Sequence, residues 1–120
     1  MNTGFLKNNF DQIFKQKAAD LFFSPGRINI IGEHTDYNGG HVFPCAISLG
    51  TYAAYGPRED KKIAVCSGNM DDDLVIFEIG DRELEKDPDH KWINYFKGMT
   101  AYVQDETSEI DHGFNLYVWG

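Results

Sequence analysis

An apolar run, Ile28-Asn29-Ile30-Ile31-Gly32, opens directly into Glu33-His34-Thr35-Asp36-Tyr37-Asn38 and breaks on Gly39-Gly40 before a second apolar run starts at Val42. Residues 28–32 read as a strand. Asn38-Gly39 supplies positive φ at little steric cost, so residues 36–40 read as a turn and Val42–Ser48 as the next strand. A chain with this layout is committed to β-structure on both sides of the turn. The first strand also delivers Arg27, Glu33, His34 and Asp36 within ten residues, which packing does not require. Ser24 to Pro44 therefore reads as a candidate site.

The elements around it follow from periodicity. Phe5, Leu6, Phe10, Ile13, Phe14 and Ala18 fall at helical spacing with Lys7, Asp11, Lys15 and Lys17 elsewhere on the wheel, which predicts an amphipathic helix of about 14 residues. Leu21–Phe23 is a short strand stopped by Pro25-Gly26. Thr51–Tyr55, Lys62–Ser67 and Leu74–Ile79 are further strands, rich in β-branched and aromatic residues, with a turn at Gly68–Asp73. Asp87-Pro88 predicts a helix start, with Asp as N-cap and Pro at the first helical position. Trp92, Tyr95, Phe96, Met99, Tyr102 and Val103 mark one face of that helix. A polar loop, Thr107–His112, leads to a final strand, Phe114–Trp119. The layout predicts an α+β fold, a mostly antiparallel sheet with helices packed on one face.

Composition excludes several function classes. The 120 residues suit one domain, residues 1–120, and the apolar residues are too dispersed to span a bilayer. Met1–Phe10 lacks the cationic and apolar regions of a secretory signal. Net charge is −8, and Lys61-Lys62 is the largest basic cluster, which argues against nucleic-acid and membrane-surface partners. Cys45 and Cys66 fit no metal spacing and are expected to be buried, reduced thiols of a cytoplasmic protein.

Strand alternation places Glu33 opposite His34 and Asp36, but the approaching turn breaks the alternation and lets all three converge. Carboxylates accept from pairs of hydroxyls and His adds a donor or acceptor, a set suited to a polyhydroxylated ligand such as a sugar. His with two carboxylates is also metal chemistry. A structural Arg27–Glu33 ion pair with a capped turn is the third reading, and the residues alone leave all three open. Gly26 and Gly32 match neither phosphate-binding fingerprint. Asp71-Asp72-Asp73 lacks the Gly and distal Glu of a calcium loop and reads as a solvated turn. His41, His90 and His112 read as isolated turn residues. Trp92, Tyr95 and Phe96 read as core before they read as a base-stacking surface.

The order of residues then matters more than their types. Gly26-Arg27-Ile28-Asn29-Ile30-Ile31-Gly32-Glu33-His34-Thr35-Asp36-Tyr37-Asn38-Gly39-Gly40 resembles the signature of galactokinases, one branch of the GHMP kinases. Val42-Phe43-Pro44-Cys45-Ala46-Ile47 resembles the strand after it, and Trp92-Ile93-Asn94-Tyr95-Phe96-Lys97-Gly98 the family's Trp-x-Asn-Tyr-x-x-Gly helix. The resemblance covers most of residues 21–120.

It implies the N-terminal part of the GHMP-kinase fold (ribosomal protein S5 domain 2-like), truncated. It also implies ATP- and magnesium-dependent phosphorylation of the anomeric hydroxyl of α-D-galactose. By position, Glu33, His34 and Asp36 would bind sugar hydroxyls, Glu33 the exocyclic one and Asp36 the ring hydroxyls. Arg27 would stand near the transferring phosphoryl group and the catalytic aspartate, with Tyr37 and Asn38 shaping the loop. Trp92 and Tyr95 would neighbour the adenine. No residue of this chain is assigned to metal. In the family the phosphate loop, catalytic aspartate and magnesium ligands follow the strand matching Phe114–Trp119, beyond Gly120. The expectation is an inactive galactose-binding part of a monomeric cytoplasmic kinase, self-associating through an apolar surface. A non-catalytic galactose-sensing module on the same scaffold is the alternative.

Overall fold

The computed structural model describes residues 3–79, 85–107 and 110–120. Helix α1 spans Thr3–Phe14, strand β1 Asp20–Ile31 and strand β2 Phe43–Pro57. Strands β3 (Lys62–Ser67) and β4 (Asp73–Glu78), helix α2 (Ile93–Thr107) and strand β5 (Phe114–Trp119) complete the fold. One five-stranded sheet runs in the order β1-β2-β5-β3-β4. Every neighbouring pair is antiparallel except β3 with β5. The α+β architecture with a mostly antiparallel sheet is the one the sequence predicts.

The helices do not share a face, which corrects the expected arrangement. Residues of β3 and β5 are apolar on both sides, so alternation sends them into two cores. Ile63, Val65 and Val118 pack with Ile93, Trp92 and Phe96 around α2. Cys66, Tyr117 and Ala54 pack with Leu6 and Phe10 of α1 on the opposite side. Strands apolar on both faces need a cover on each, and the chain provides one helix for each.

Four expected strands are two. Residues 21–23 and 28–32 merge into β1, because Pro25 sits on an edge strand where its missing N–H costs no ladder bond and a register shift between Pro25 and Arg27 absorbs Gly26. Residues 42–48 and 51–55 merge into β2, where Gly50 lies opposite Pro25 with the Ser24 carbonyl in the space its Cβ would need. Helix α2 begins at Ile93 rather than at Asp87-Pro88. The Asp87 carboxylate accepts from the N–H groups of Asp89 (2.9 Å) and His90 (2.8 Å), capping a turn of its own. Helix α1 ends at Phe14, short of Ala18, where Lys15 takes a left-handed φ of 53°. Of the expected 107–112 loop, residues 108 and 109 lie outside the described residues.

The predicted face of α2 also divides. Trp92 and Phe96 join the core, while Tyr95, Met99 and Tyr102 form an exposed stripe. Ile93, unremarkable in the sequence, is the fully buried residue of the helix. Cys66 is buried as expected but Cys45 is exposed, because its part of β2 has only β1 beside it and no helix over it. Burial, with Asp72 and Asp73 nearby, pushes the Cys66 thiol up to about 11.

Candidate functional site

The β1–β2 connection is a built loop. Gly32 adopts φ 100°, and a Cβ there would lie 2.7 Å from the His41 carbonyl oxygen and 2.9 Å from Val42 Cα. Only glycine allows the strand to pass that close and turn in that direction. The Thr35 hydroxyl has one proton to give, and the Gly32 and His41 carbonyls lie 2.7 and 3.1 Å from it, at the two ends of the loop. The Thr35 carbonyl in turn accepts from the N–H of Gly40 at 2.7 Å. A short 3₁₀ turn, Asp36–Asn38, fills the middle and ends on Gly39 at φ 71°. The Asn38 amide donates to the His34 carbonyl at 2.8 Å.

Within this frame His34 stands at φ 58°, left-handed for a residue with a side chain. Such conformations persist only where surrounding contacts fix them. Here the Tyr37 hydroxyl lies 2.7 Å from His34 Nδ1. Tyr37 and Asn38 thus shape the loop, through these two bonds.

Arg27, Asn29, Gly32, Asp36, Val42 and Pro44 line one cleft of about 50 Å³. The structure therefore brings Arg27 and Asp36 together from opposite ends of the segment. Glu33 and His34 do not line this cleft and are exposed on the loop beside it. Among the described residues no ion pair joins Arg27 to Glu33, so the structural ion-pair reading has no geometric support. Nor does any group of three or more His, Cys, Asp or Glu among them form a cation cage, Glu33, His34 and Asp36 included.

Asn29 was missed in the sequence, although two residues from Arg27 along a strand is same-face spacing. Thr35 was missed as well, because its partners are backbone carbonyls that no residue pattern reveals.

Trp92 and Tyr95 lie at a second hollow of about 350 Å³, shared with Thr51, Ser67, Asn69, Phe96, Val118, Trp119 and Gly120. Trp92 is anchored: its indole Nε1 donates to Asp73 Oδ2 at 2.9 Å. Tyr95 is 83% exposed and also borders a larger hollow of about 440 Å³ with Lys86, Asp87, Pro88, Lys91 and Asn94. The Asn94 side chain accepts from the Asp87 N–H (2.8 Å) and donates to the Asp87 carbonyl (3.0 Å), fixing the approach to α2.

Two sequence readings need correction here. His90 is not isolated: Nδ1 lies 3.2 Å from Asp87 Oδ2 and Nε2 lies 3.7 Å from Asp73 Oδ1. The Asp87 carboxylate, with Asp73 and Asp89 adding negative charge, holds the imidazole above its ordinary value. Asp87 itself is held below the usual carboxylate range, chiefly by the His90 N–H. Asp73, in turn, is not merely a solvated turn residue, since it carries the Trp92 bond. Asp71 and Asp72 do form the turn, both at left-handed φ.

Comparisons with known proteins bear on the same segment. Residues 8–57 match the family described as the galactokinase galactose-binding signature. The chain is 58% identical over 118 residues to the galactokinase of Lactobacillus helveticus, covering 98% of this chain and 30% of that protein. It is 50% identical over 121 residues to the galactokinase of Lactiplantibacillus plantarum, covering 100% of this chain and 31% of that one. The crystal structure of Lactococcus lactis galactokinase complexed with galactose superposes with a TM-score of 0.87 at 42% identity, over 98% of this chain and 30% of that chain. Methanococcus jannaschii mevalonate kinase shares the fold alone, with a TM-score of 0.62 at 13% identity over 84% of this chain and 32% of that one. The chain thus spans about 30% of the length of the galactokinases it matches.

Proposed function

The chain belongs to the galactokinase family, and from that premise we propose that it carries the galactose-recognising part of an ATP-dependent galactokinase. The observation that supports this most is the convergence of Arg27 and Asp36 on one cleft, inside the segment that matches the galactose-binding signature. Asp36 is an acceptor-only group when ionised, and its two oxygens suit a pair of adjacent ring hydroxyls. Glu33 and His34, exposed on the same loop, take the exocyclic hydroxyl and a neighbouring one as the sugar enlarges the site outward. Asn29 offers both a donor and an acceptor to the same cleft.

Phosphoryl transfer depends on positioning and on stabilising charge that spreads over the moving group. Arg27 supplies a guanidinium for that purpose, with a planar fork that matches phosphoryl and carboxylate oxygens. ATP would be the phosphoryl donor, and the hollow walled by Trp92 and Tyr95 has the flat aromatic surface an adenine needs. Magnesium would accompany ATP, held by its phosphates and one or two carboxylates, and among the described residues no group of three or more His, Cys, Asp or Glu is placed to hold it unaided. Residues 1–120 act as one domain unit and turn over no galactose unaided. No described helix is long and apolar enough to cross a membrane. A reduced thiol on the surface at Cys45 fits a cytoplasmic setting.

The test replaces the matching 118 residues of the Lactobacillus helveticus enzyme with this chain and measures galactose phosphorylation. The chimera is expected to turn over, and Arg27→Ala to lower its kcat by about a hundredfold or more. Asp36→Ala should raise the galactose KM and erode discrimination against glucose. A folded chimera without turnover, or one indifferent to both substitutions, would overturn the reading.

A further inference from the structure

The polar groups before α2 form a chain that the cleft at Arg27 and Asp36 does not use. His90 stands between two carboxylates from different elements. Its Nδ1 lies 3.2 Å from Asp87 Oδ2 in its own turn, and its Nε2 lies 3.7 Å from Asp73 Oδ1 at the start of β4. The other Asp73 oxygen, Oδ2, accepts from the Trp92 indole at 2.9 Å. One carboxylate thus joins His90 to Trp92, and Trp92 walls the hollow of about 350 Å³. Backbone bonds fix both ends of this chain. Asp87 also accepts from the N–H groups of Asp89 and His90, and the His90 carbonyl accepts from the Ile93 N–H at 3.0 Å, where α2 begins. The Asp73 N–H donates to the Met70 carbonyl at 2.9 Å, and Asp73 pairs with Ser67 in the sheet. What remains free to respond is the Asp73 side chain and the ring edge it holds.

We propose that His90 is a positioning residue that sets Trp92 through the shared Asp73 carboxylate, holding that wall of the hollow when the imidazole is charged and releasing it when the imidazole is neutral. A charged imidazole has an N–H at each nitrogen and attracts both carboxylates. A neutral one has a single N–H. The shorter contact, together with the two backbone bonds that already fix Asp87, keeps that proton on Nδ1. Nε2 then turns a lone pair towards Asp73 Oδ1, attraction becomes repulsion, and the carboxylate swings, taking the indole bond with it. The charged groups acting on His90 are Asp87 and Asp89 of its own turn and Asp73 of β4. All three are acidic, and they keep the imidazole charged to higher pH than an ordinary histidine. The consequence for ATP rests on the adenine reading of this hollow, whereas the coupling of His90 to Trp92 does not.

The experiment follows the indole N–H signals of the isotope-labelled chain by NMR from about pH 5.5 to about pH 9, beside the ring protons of His90. The chain has two tryptophans, Trp92 and Trp119, and Trp92→Phe assigns their signals. The expected result is a Trp92 signal that titrates with the midpoint of His90 and loses its pH response in His90→Gln. Asp87→Asn should lower both midpoints together, which keeps the test open if His90→Gln fails to fold. A His90 that only braces the turn would titrate without moving Trp92. A Trp92 signal that stays flat while His90 titrates would therefore overturn the proposal. So would a response that survives His90→Gln, or one that does not follow the Asp87→Asn shift. In the chimera with the Lactobacillus helveticus enzyme, His90→Gln should raise the KM for ATP about threefold or more at about pH 6, and the ratio to the unsubstituted chimera should approach one at about pH 8.5. A ratio of one at both values, with Trp92 still coupled to His90, would keep the positioning role and remove the adenine reading.

Discussion

Gly32 and Gly39 provide a matched test of how the candidate loop is held. Both have positive φ, 100° and 71°, but their surroundings differ. At Gly39 a Cβ would meet nothing within 4 Å, so Gly39→Ala carries only the backbone penalty of a left-handed L-residue, about 1 kcal/mol. At Gly32 the same penalty applies, and the Cβ also falls 2.7 Å from the His41 carbonyl and 2.9 Å from Val42 Cα, both backbone atoms that cannot swing aside. Pushing two strands apart adds about 1–3 kcal/mol, which brings Gly32→Ala to about 2–4 kcal/mol. The loop lies away from both cores, so part of that strain is relieved by local opening. Two readouts are therefore needed: urea unfolding followed by tryptophan fluorescence, and hydrogen exchange at the Gly40 amide, which donates to Thr35 at 2.7 Å. Gly32→Ala should speed that exchange by about tenfold or more while Gly39→Ala changes it by less than about fivefold. Equal effects of the two substitutions, or a Gly32→Ala protein matching wild type in both readouts, would refute the account of the loop.

Other expectations follow from single contacts. Arg58 donates to both Asp60 oxygens, at 2.7 and 2.6 Å, and holds that carboxyl down to about 2. A depressed carboxylate stabilises the fold above its unfolded value of 3.8 and stops doing so as pH falls towards 2, so wild type should lose its advantage over Asp60→Asn across that window in pH-dependent unfolding. His90 has the opposite sign: its raised value makes the protonated form stabilising below 6.5, an advantage lost as pH rises through the folded value. Proton NMR titration should find His90 above the ordinary histidine value in wild type and lowered towards it by Asp87→Asn. Gly98 lies inside α2 with nothing within 4 Å of a Cβ, so Gly98→Ala should stabilise by about 0.5–1 kcal/mol in thermal unfolding.

Much of the fold was legible in local pattern. Residues 62–67 and 114–119 were bounded correctly because they are short, apolar and flanked by turn residues on each side. The breaks placed at Pro25-Gly26 and Leu49-Gly50 were false because these residues face each other across β1 and β2, where each strand accommodates the other's irregularity. Pairing of that kind is a tertiary fact. The placement of the helices on opposite faces was readable in principle, since Ala64, Val65 and Cys66 are apolar in succession, but a single run does not say what covers each side. At the candidate site, Arg27 and Asp36 were legible as chemistry and Gly39-Gly40 as a turn. Thr35 was not, because it works through carbonyl oxygens. His90 and Asp73 were not, because their proximity depends on the turn before α2. The stripe of Tyr95, Met99 and Tyr102 has helical spacing and no core behind it, which periodicity alone cannot distinguish from burial.

The most direct test of the central claim is a titration of the isotope-labelled chain with galactose and, separately, with glucose, following backbone amide shifts. The account predicts galactose-dependent changes at about millimolar concentration or above, as expected of a cleft of about 50 Å³, concentrated at Arg27, Asn29, Gly32 and Asp36 and removed by Asp36→Ala. Glucose should leave those amides in place. No change in this cluster at saturating galactose, or identical changes with glucose, would contradict the assignment of the cleft at the β1–β2 connection as the galactose-recognising surface.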